Sequence, residues 1–82
     1  MIAIESQVIS VITRRVSIER KHMVDANAFL SELGLCSVTK EFTIPVDLEE
    51  EFSLDEIPYS QIEKWERVED VIATVTAMRS TK

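Results

Sequence analysis

Glycine is nearly absent from this chain: one residue, Gly34, among 82, alongside two prolines, one cysteine and one histidine. An all-β fold needs many tight turns, and turns draw on glycine and proline, so this scarcity points away from sandwiches and barrels. A single cysteine, Cys36, cannot close an internal disulfide, so a reducing compartment, the cytoplasm, is expected. Cys36 and His22 each stand alone without ligand spacing, and no structural metal is expected. Basic charge is scarce too: nine Lys and Arg stand against fifteen Asp and Glu, for a net charge of -6. Phosphates would be repelled, which argues against nucleic acid; the basic cluster Arg14, Arg15, Arg20 and Lys21 is short. No apolar run approaches the length of a membrane span. The opening "MIAIESQVISVITRR" places its basic residues after the apolar ones, unlike a signal peptide. A hydrolase is not supported either, because nothing supplies Ser37 and His22 with an oxyanion hole or a placed acid.

What is present is enough apolar residue for a core. The hydrophobic fraction of 45% is ordinary for a folded chain, and the length suits one domain, 1–82. Ile4, Val8, Val11, Ile12 and Val16 recur at helical steps and predict an amphipathic helix over 3–18. Residues 19–37 predict a long ordered loop with a short helical turn near 27–33, capped by Asp25 or Asn27. Gly34 is a natural stop for that turn, since it accepts a left-handed backbone without steric cost. A second helix is expected from near Ser37, a candidate N-cap, to about Phe52. Pro45 interrupts it: either the helix kinks, or it starts near Pro45 and "KEFTI" forms a separate turn. Phe42 and Val46 form one stripe, and Ile44, Leu48 and Phe52 an adjacent one. "SLDEIP" reads as a connector and "SQIEKW" as a short helical turn capped by Ser60. Val68, Val71, Ile72, Val75 and Met78 predict a last helix over 68–78. Short helices with apolar stripes bury them against one another, so the expected fold is all-α, a small bundle of three main helices plus a short one.

"LGLCS", ending at Ser37, resembles the Leu-Gly-x-Asp-Ser signature of acyl carrier proteins and related peptidyl carrier domains. "LEEEF" is similar to the acidic end of that family's second helix. "EIPYSQIEKWERVEDVIATV" resembles its third helix and the approach to its fourth, with Ile57-Pro58, Glu63-Lys64, Val68 and Ile72 at the family's relative spacing. Phe29 precedes Leu33-Gly34 by the family's interval, so the resemblance covers nearly the whole chain. It implies a four-helix bundle with a long first loop and a short third helix. It also implies a non-enzymatic, monomeric carrier that holds an acyl chain as a thioester on 4′-phosphopantetheine. That group would be attached covalently to Ser37 by a phosphopantetheinyl transferase using coenzyme A and Mg²⁺. Asp47, Glu49, Glu50, Glu51, Asp55 and Glu56 would form an acidic face for acyl-processing enzymes with basic docking surfaces. Val8, Phe42, Val46, Phe52, Ile57 and Ile72 are candidates to line an acyl cavity or, more simply, to fill the core.

The chain departs from that pattern in three places. Cys36 stands where the family has an aspartate that assists loading, so loading is expected to need a dedicated transferase. A thiol near a helix N-terminus can also be reactive, although a small apolar loop residue explains Cys36 as well. Counting forward from Leu33-Gly34 puts the attachment site at Ser37, whereas counting back from "LEEEF" puts it at Val38, leaving one surplus residue. In a regular helix one residue rotates everything beyond it by about 100°. "SLDEIP" is one residue longer than usual, which a loop tolerates, and Lys40 opposes the helix dipole, which suits a specialised carrier. The leading expectation is thus a carrier for specialised fatty-acid, lipid, polyketide or peptide synthesis. The alternative is a carrier-like interaction module without a prosthetic group.

Overall fold

The computed structural model describes residues 4–35 and 38–80. Four α-helices are present among them: α1 (Ile4–Thr13), α2 (Ile44–Phe52), α3 (Tyr59–Ile62) and α4 (Val68–Ser80). No strand forms among these residues; a single isolated bridge joins Phe29 to Arg67. The all-α expectation holds, with three main helices and one short one.

Helix α1 stops earlier than its apolar period suggests. After Thr13 the bonding tightens, with Arg15 N–H donating to Ile12 O at 3.0 Å and Val16 N–H to Thr13 O at 3.1 Å. The Thr13 hydroxyl turns back to Ile9 O at 2.6 Å, a local bond that competes with the helical ladder. Val16 is still buried, because the turn folds it back beneath the helix. Periodicity therefore runs on where the helix does not.

One apolar cluster forms the core. Val8, Val11 and Ile12 from α1 meet Ile44, Leu48 and Phe52 from α2 and Val68, Val71 and Val75 from α4. Helix α1 packs on both α2 and α4. The β-branched face of α4 is helical despite its lower propensity, since each fully buried side chain contributes roughly 1.5–3 kcal/mol. Ile62 of α3 and Leu30, Leu33, Ile57 and Trp65 of the connecting segments close the cluster.

The first connection is fastened along its length. Lys21–Met23 and Leu30–Leu33 are 3₁₀ turns, the second of them where a short helical turn is expected. Neither Asp25 nor Asn27 caps it. Asp25 instead accepts the Asn27 N–H at 2.9 Å, making its own local turn. Further on, Ala28 O accepts the Val68 N–H at 3.0 Å and Ala26 O the Glu69 N–H at 2.9 Å. Two orphan donors of the first turn of α4 are thereby satisfied by the loop. Asp70 completes this helix start by accepting the Glu66 and Arg67 N–H groups at 3.0 Å each. The Arg67 guanidinium lies 4.4 Å from the centroid of the Phe29 ring.

Ser60 does not cap α3. It lies inside that helix, whose N-cap is Pro58 without a side-chain bond. Proline fixes the extended backbone that opens the turn, so no hydroxyl is required.

Candidate functional site

The loop leads toward the expected attachment position through Gly34. Its φ of 79° places it in the left-handed region, and its N–H donates to Ser31 O at 3.3 Å, closing the Leu30–Leu33 turn. A Cβ on Gly34 would come within 2.9 Å of Arg20 Nη1. Arg20 uses the same nitrogen to donate to Glu32 O at 3.2 Å. The left-handed backbone is what demands the chain's one glycine; the Arg20 side-chain end is flexible and could move aside for a Cβ. Leu35 follows, half-buried against the core. Cys36 and Ser37 lie outside the described residues. Val38, beyond the pair, has helical backbone, with φ -63° and ψ -47°, and is exposed.

Between Val38 and α2 the helix widens into a π turn over Thr39–Thr43. The Ile44 N–H donates to Thr39 O, five residues back instead of four. Helix α2 follows directly at Ile44, since Thr43 before it keeps helical backbone, and Pro45 lies in its first turn just after the wider winding of the π turn. Of the two expectations for this helix, the first is the nearer: the backbone is helical without a break from Val38 to Phe52, and the irregularity ahead of Pro45 takes the form of a π turn within the helix, not of a separate turn. The π turn also bears on the surplus residue. It closes around one residue more than an α turn, so an extra residue is accommodated here without rotating the following helix by about 100°. No feature of composition marks a π turn in advance; the nearest signal is a proline within an otherwise helical pattern.

The six acidic residues expected to form one face divide into two groups. Arg15 donates to both carboxylate oxygens of Asp47, at 2.8 and 3.1 Å. That hydrogen bond, and then the carboxylate charge, raise the Arg15 pKa, opposed only by slight desolvation. Arg14 approaches Glu51 at 3.5 Å. Glu49 accepts the Ile57 N–H at 2.9 Å, which ties α2 to the approach to α3. Glu50, Asp55 and Glu56 are exposed. The end of α1 thus engages two of the carboxylates expected to meet partners. Opposite charges on helices expected to be neighbours were the available signal for this.

Apolar residues divide in the same way. Ile44, Leu48 and Phe52 point into the core, while Phe42 and Val46, candidates for an inner lining, stay outside at 60% and 49% exposure. A helix packed on one side can bury only one of two adjacent stripes. Val8, Phe52 and Ile57 are core residues, and Ile72 is half-buried. Phe42 and Val46 line an open groove of about 690 Å³ between the π turn, α2 and α3, floored by Pro45, Ile57 and Ile62. Tyr59, 54% exposed, stands on the opposite wall and donates to Glu41 Oε1 at 3.0 Å. This bond, then the Glu41 charge, slight desolvation and the charge of Glu63, raise the Tyr59 pKa above the ordinary phenol range.

No family model matches this chain, and no curated protein and no solved structure matches it. Among the described residues no helix is long and apolar enough to cross a membrane.

Proposed function

We propose that this chain is a carrier domain, a non-enzymatic bundle that presents a covalently held group to other proteins. In particular, we read it as an acyl carrier protein bearing 4′-phosphopantetheine on Ser37, for a specialised fatty-acid, lipid, polyketide or peptide pathway in the cytoplasm.

The observation that carries this reading is the π turn at Thr39–Thr43. The resemblance to carrier domains is internally inconsistent by one residue if helix two is regular, and consistent if it contains one surplus residue. Counting from the loop then assigns the attachment to Ser37 rather than Val38. The order of elements supports the same reading: a first helix, a long fastened loop stopped by Gly34, a helix, a short third helix and a fourth. Val38, which follows Ser37 directly, is exposed, as an attached arm requires of its surroundings, while Leu35 anchors the other side on the core. When bound, the arm supplies a terminal thiol that carries the acyl group. The contribution of the chain is the Ser37 hydroxyl, which accepts the phosphodiester link. Cys36, in place of an aspartate, makes a dedicated transferase part of the proposal.

Intact mass after incubation with coenzyme A, Mg²⁺ and a broad-specificity phosphopantetheinyl transferase tests it. The expected result is a gain of one phosphopantetheine on Ser37, at least once Cys36→Asp is introduced, and none on Ser37→Ala. Continued failure of Cys36→Asp to load would overturn the assignment.

The exposed groove beside α3 favours a second reading, an interaction module with no prosthetic group. On that reading Ser37→Ala leaves partner binding intact and costs about 1 kcal/mol of stability as a lost cap.

A further inference from the structure

We propose that the cavity at the end of α1 binds a diphosphate group, held between Arg14 and Arg20. The inference does not depend on the carrier reading, and the cavity shares no lining residue with the groove beside α3.

Most of the short basic cluster of the sequence meets again in the fold. Where α1 ends, the chain turns back, and Arg14, Arg15 and Arg20 line one open cavity of about 460 Å³ together with Ser17, Glu19 and Gly34. The three arginines differ in how far their charge is already used. Arg15 is committed, with Nε and Nη2 both donating to Asp47. Arg14 reaches Glu51 through one nitrogen only, at 3.5 Å, and leaves the rest of its guanidinium in water. Arg20 pairs with no carboxylate among the described residues. Its Nη1 donates to Glu32 O at 3.2 Å, a bond to a neutral carbonyl that positions the guanidinium without cancelling its charge. The exposed Ser17 hydroxyl also has no partner among the described residues.

Charge and shape select the ligand. A guanidinium fork matches phosphate oxygens two at a time, and Arg14 and Arg20 each keep donors unspent. Two forks in one cavity suit two linked phosphoryl groups better than one. Glu19 is the one carboxylate among the lining residues and sets a limit on affinity. No aromatic residue lines the cavity, so a nucleoside base finds nothing to stack on and recognition ends at the diphosphate. The net charge of -6 repels a long polyanion, and the cluster is too short to follow one. A small anion is treated differently, because salt screens the distant carboxylates beyond about 8 Å while the arginines act at contact. The groove beside α3 offers the contrast: Glu41, Glu49 and Glu56 line it without a lysine or arginine among the described residues, and it excludes the same ligand.

The test titrates inorganic pyrophosphate into the full, unloaded chain in metal-free buffer and follows amide chemical shifts, so its failure leaves the Ser37 assay untouched. The expected result is a saturable shift centred on residues 14–20 and 33–34. Arg20→Gln should weaken binding roughly tenfold, the loss of one charged hydrogen-bonding partner, with an unchanged circular dichroism spectrum. Glu19→Gln should tighten binding, a gain that a damaged fold cannot produce. Inorganic monophosphate should bind roughly tenfold more weakly than pyrophosphate, since it engages one fork. ADP distinguishes the source of the group: binding equal to that of pyrophosphate extends the site to diphosphates carried on a nucleoside, and weaker binding confines it to the free anion, the site standing in both cases. Several results would overturn the proposal: no saturable shift, shifts centred elsewhere, monophosphate binding as tightly as pyrophosphate, or Arg20→Gln binding as tightly as the parent chain. Tighter binding of a peptide of consecutive glutamates would overturn it in favour of an acidic protein segment.

Discussion

Trp65 is the sole tryptophan and is only 2% exposed, so its indole N–H must find a partner within the protein. It donates to Thr74 Oγ1 at 2.9 Å, and that hydroxyl lies 3.2 Å from Asp70 O, one turn back. A Thr74→Val substitution keeps the shape and removes the acceptor. Leaving the indole N–H unpaired should cost about 1–3 kcal/mol, read by urea unfolding followed through Trp65 fluorescence. An unchanged midpoint would show that another acceptor replaces the hydroxyl. Tyr59, the only tyrosine, gives a second residue-scale test. Its raised pKa means the hydrogen bond to Glu41 holds at and below the ordinary phenol range and is lost as pH climbs through the higher folded value. Ultraviolet titration of the folded chain should therefore show ionisation later than in urea, and Glu41→Gln should move it back toward the ordinary range. Gly34 was legible at this scale because a lone glycine after an apolar turn has one common use. The Thr74 partner of Trp65 was not legible, because it depends on how the segment after α3 meets α4.

Among the elements, α4 was the most readable: Val68, Val71 and Val75 are all buried, and the helix extends only a little beyond Met78. The end of α1 was not, because Val16 keeps the period after the backbone has left the helix. The start of the second helix was legible only as a choice, with Pro45 forcing a break and nothing in the composition stating its form. The π turn makes a two-step prediction. Deleting Thr43 converts the turn toward regular α-helix and places Pro45 in a helix interior, which should cost about 3 kcal/mol. Adding Pro45→Ala should recover most of that loss. Thermal melts of both variants check this; a deletion that is equally harmful with alanine would mean the surplus residue is required for packing.

Across the whole molecule, the acidic balance was legible as a number but not as a distribution. Arg14 and Arg15, seen in the sequence as a small basic patch, stay at the surface and pair there with Glu51 and Asp47 of α2. Paired and exposed carboxylates should then differ in what they contribute to stability. Asp47→Asn is expected to lower the melting temperature by roughly 1–5 °C, as for a largely surface pair, without altering the groove. Glu56→Gln, at an exposed carboxylate, should leave the melt unchanged. An equal loss from the two substitutions would mean that the carboxylates act as one group.

The strapping of residues 26–30 onto the beginning of α4 has a consequence for folding order. The loop has no ladder of its own, and α4 lacks two acceptors until the loop arrives, so neither is complete alone. Both must close across a separation of 38 residues, the interval from Phe29 to Arg67, late in assembly and as one event. Native-state hydrogen exchange at the Leu30, Val68 and Glu69 amides should accordingly report a single opening. The long first connection then belongs to the same cooperative unit as the last helix, and what looks like a tether behaves as a clasp.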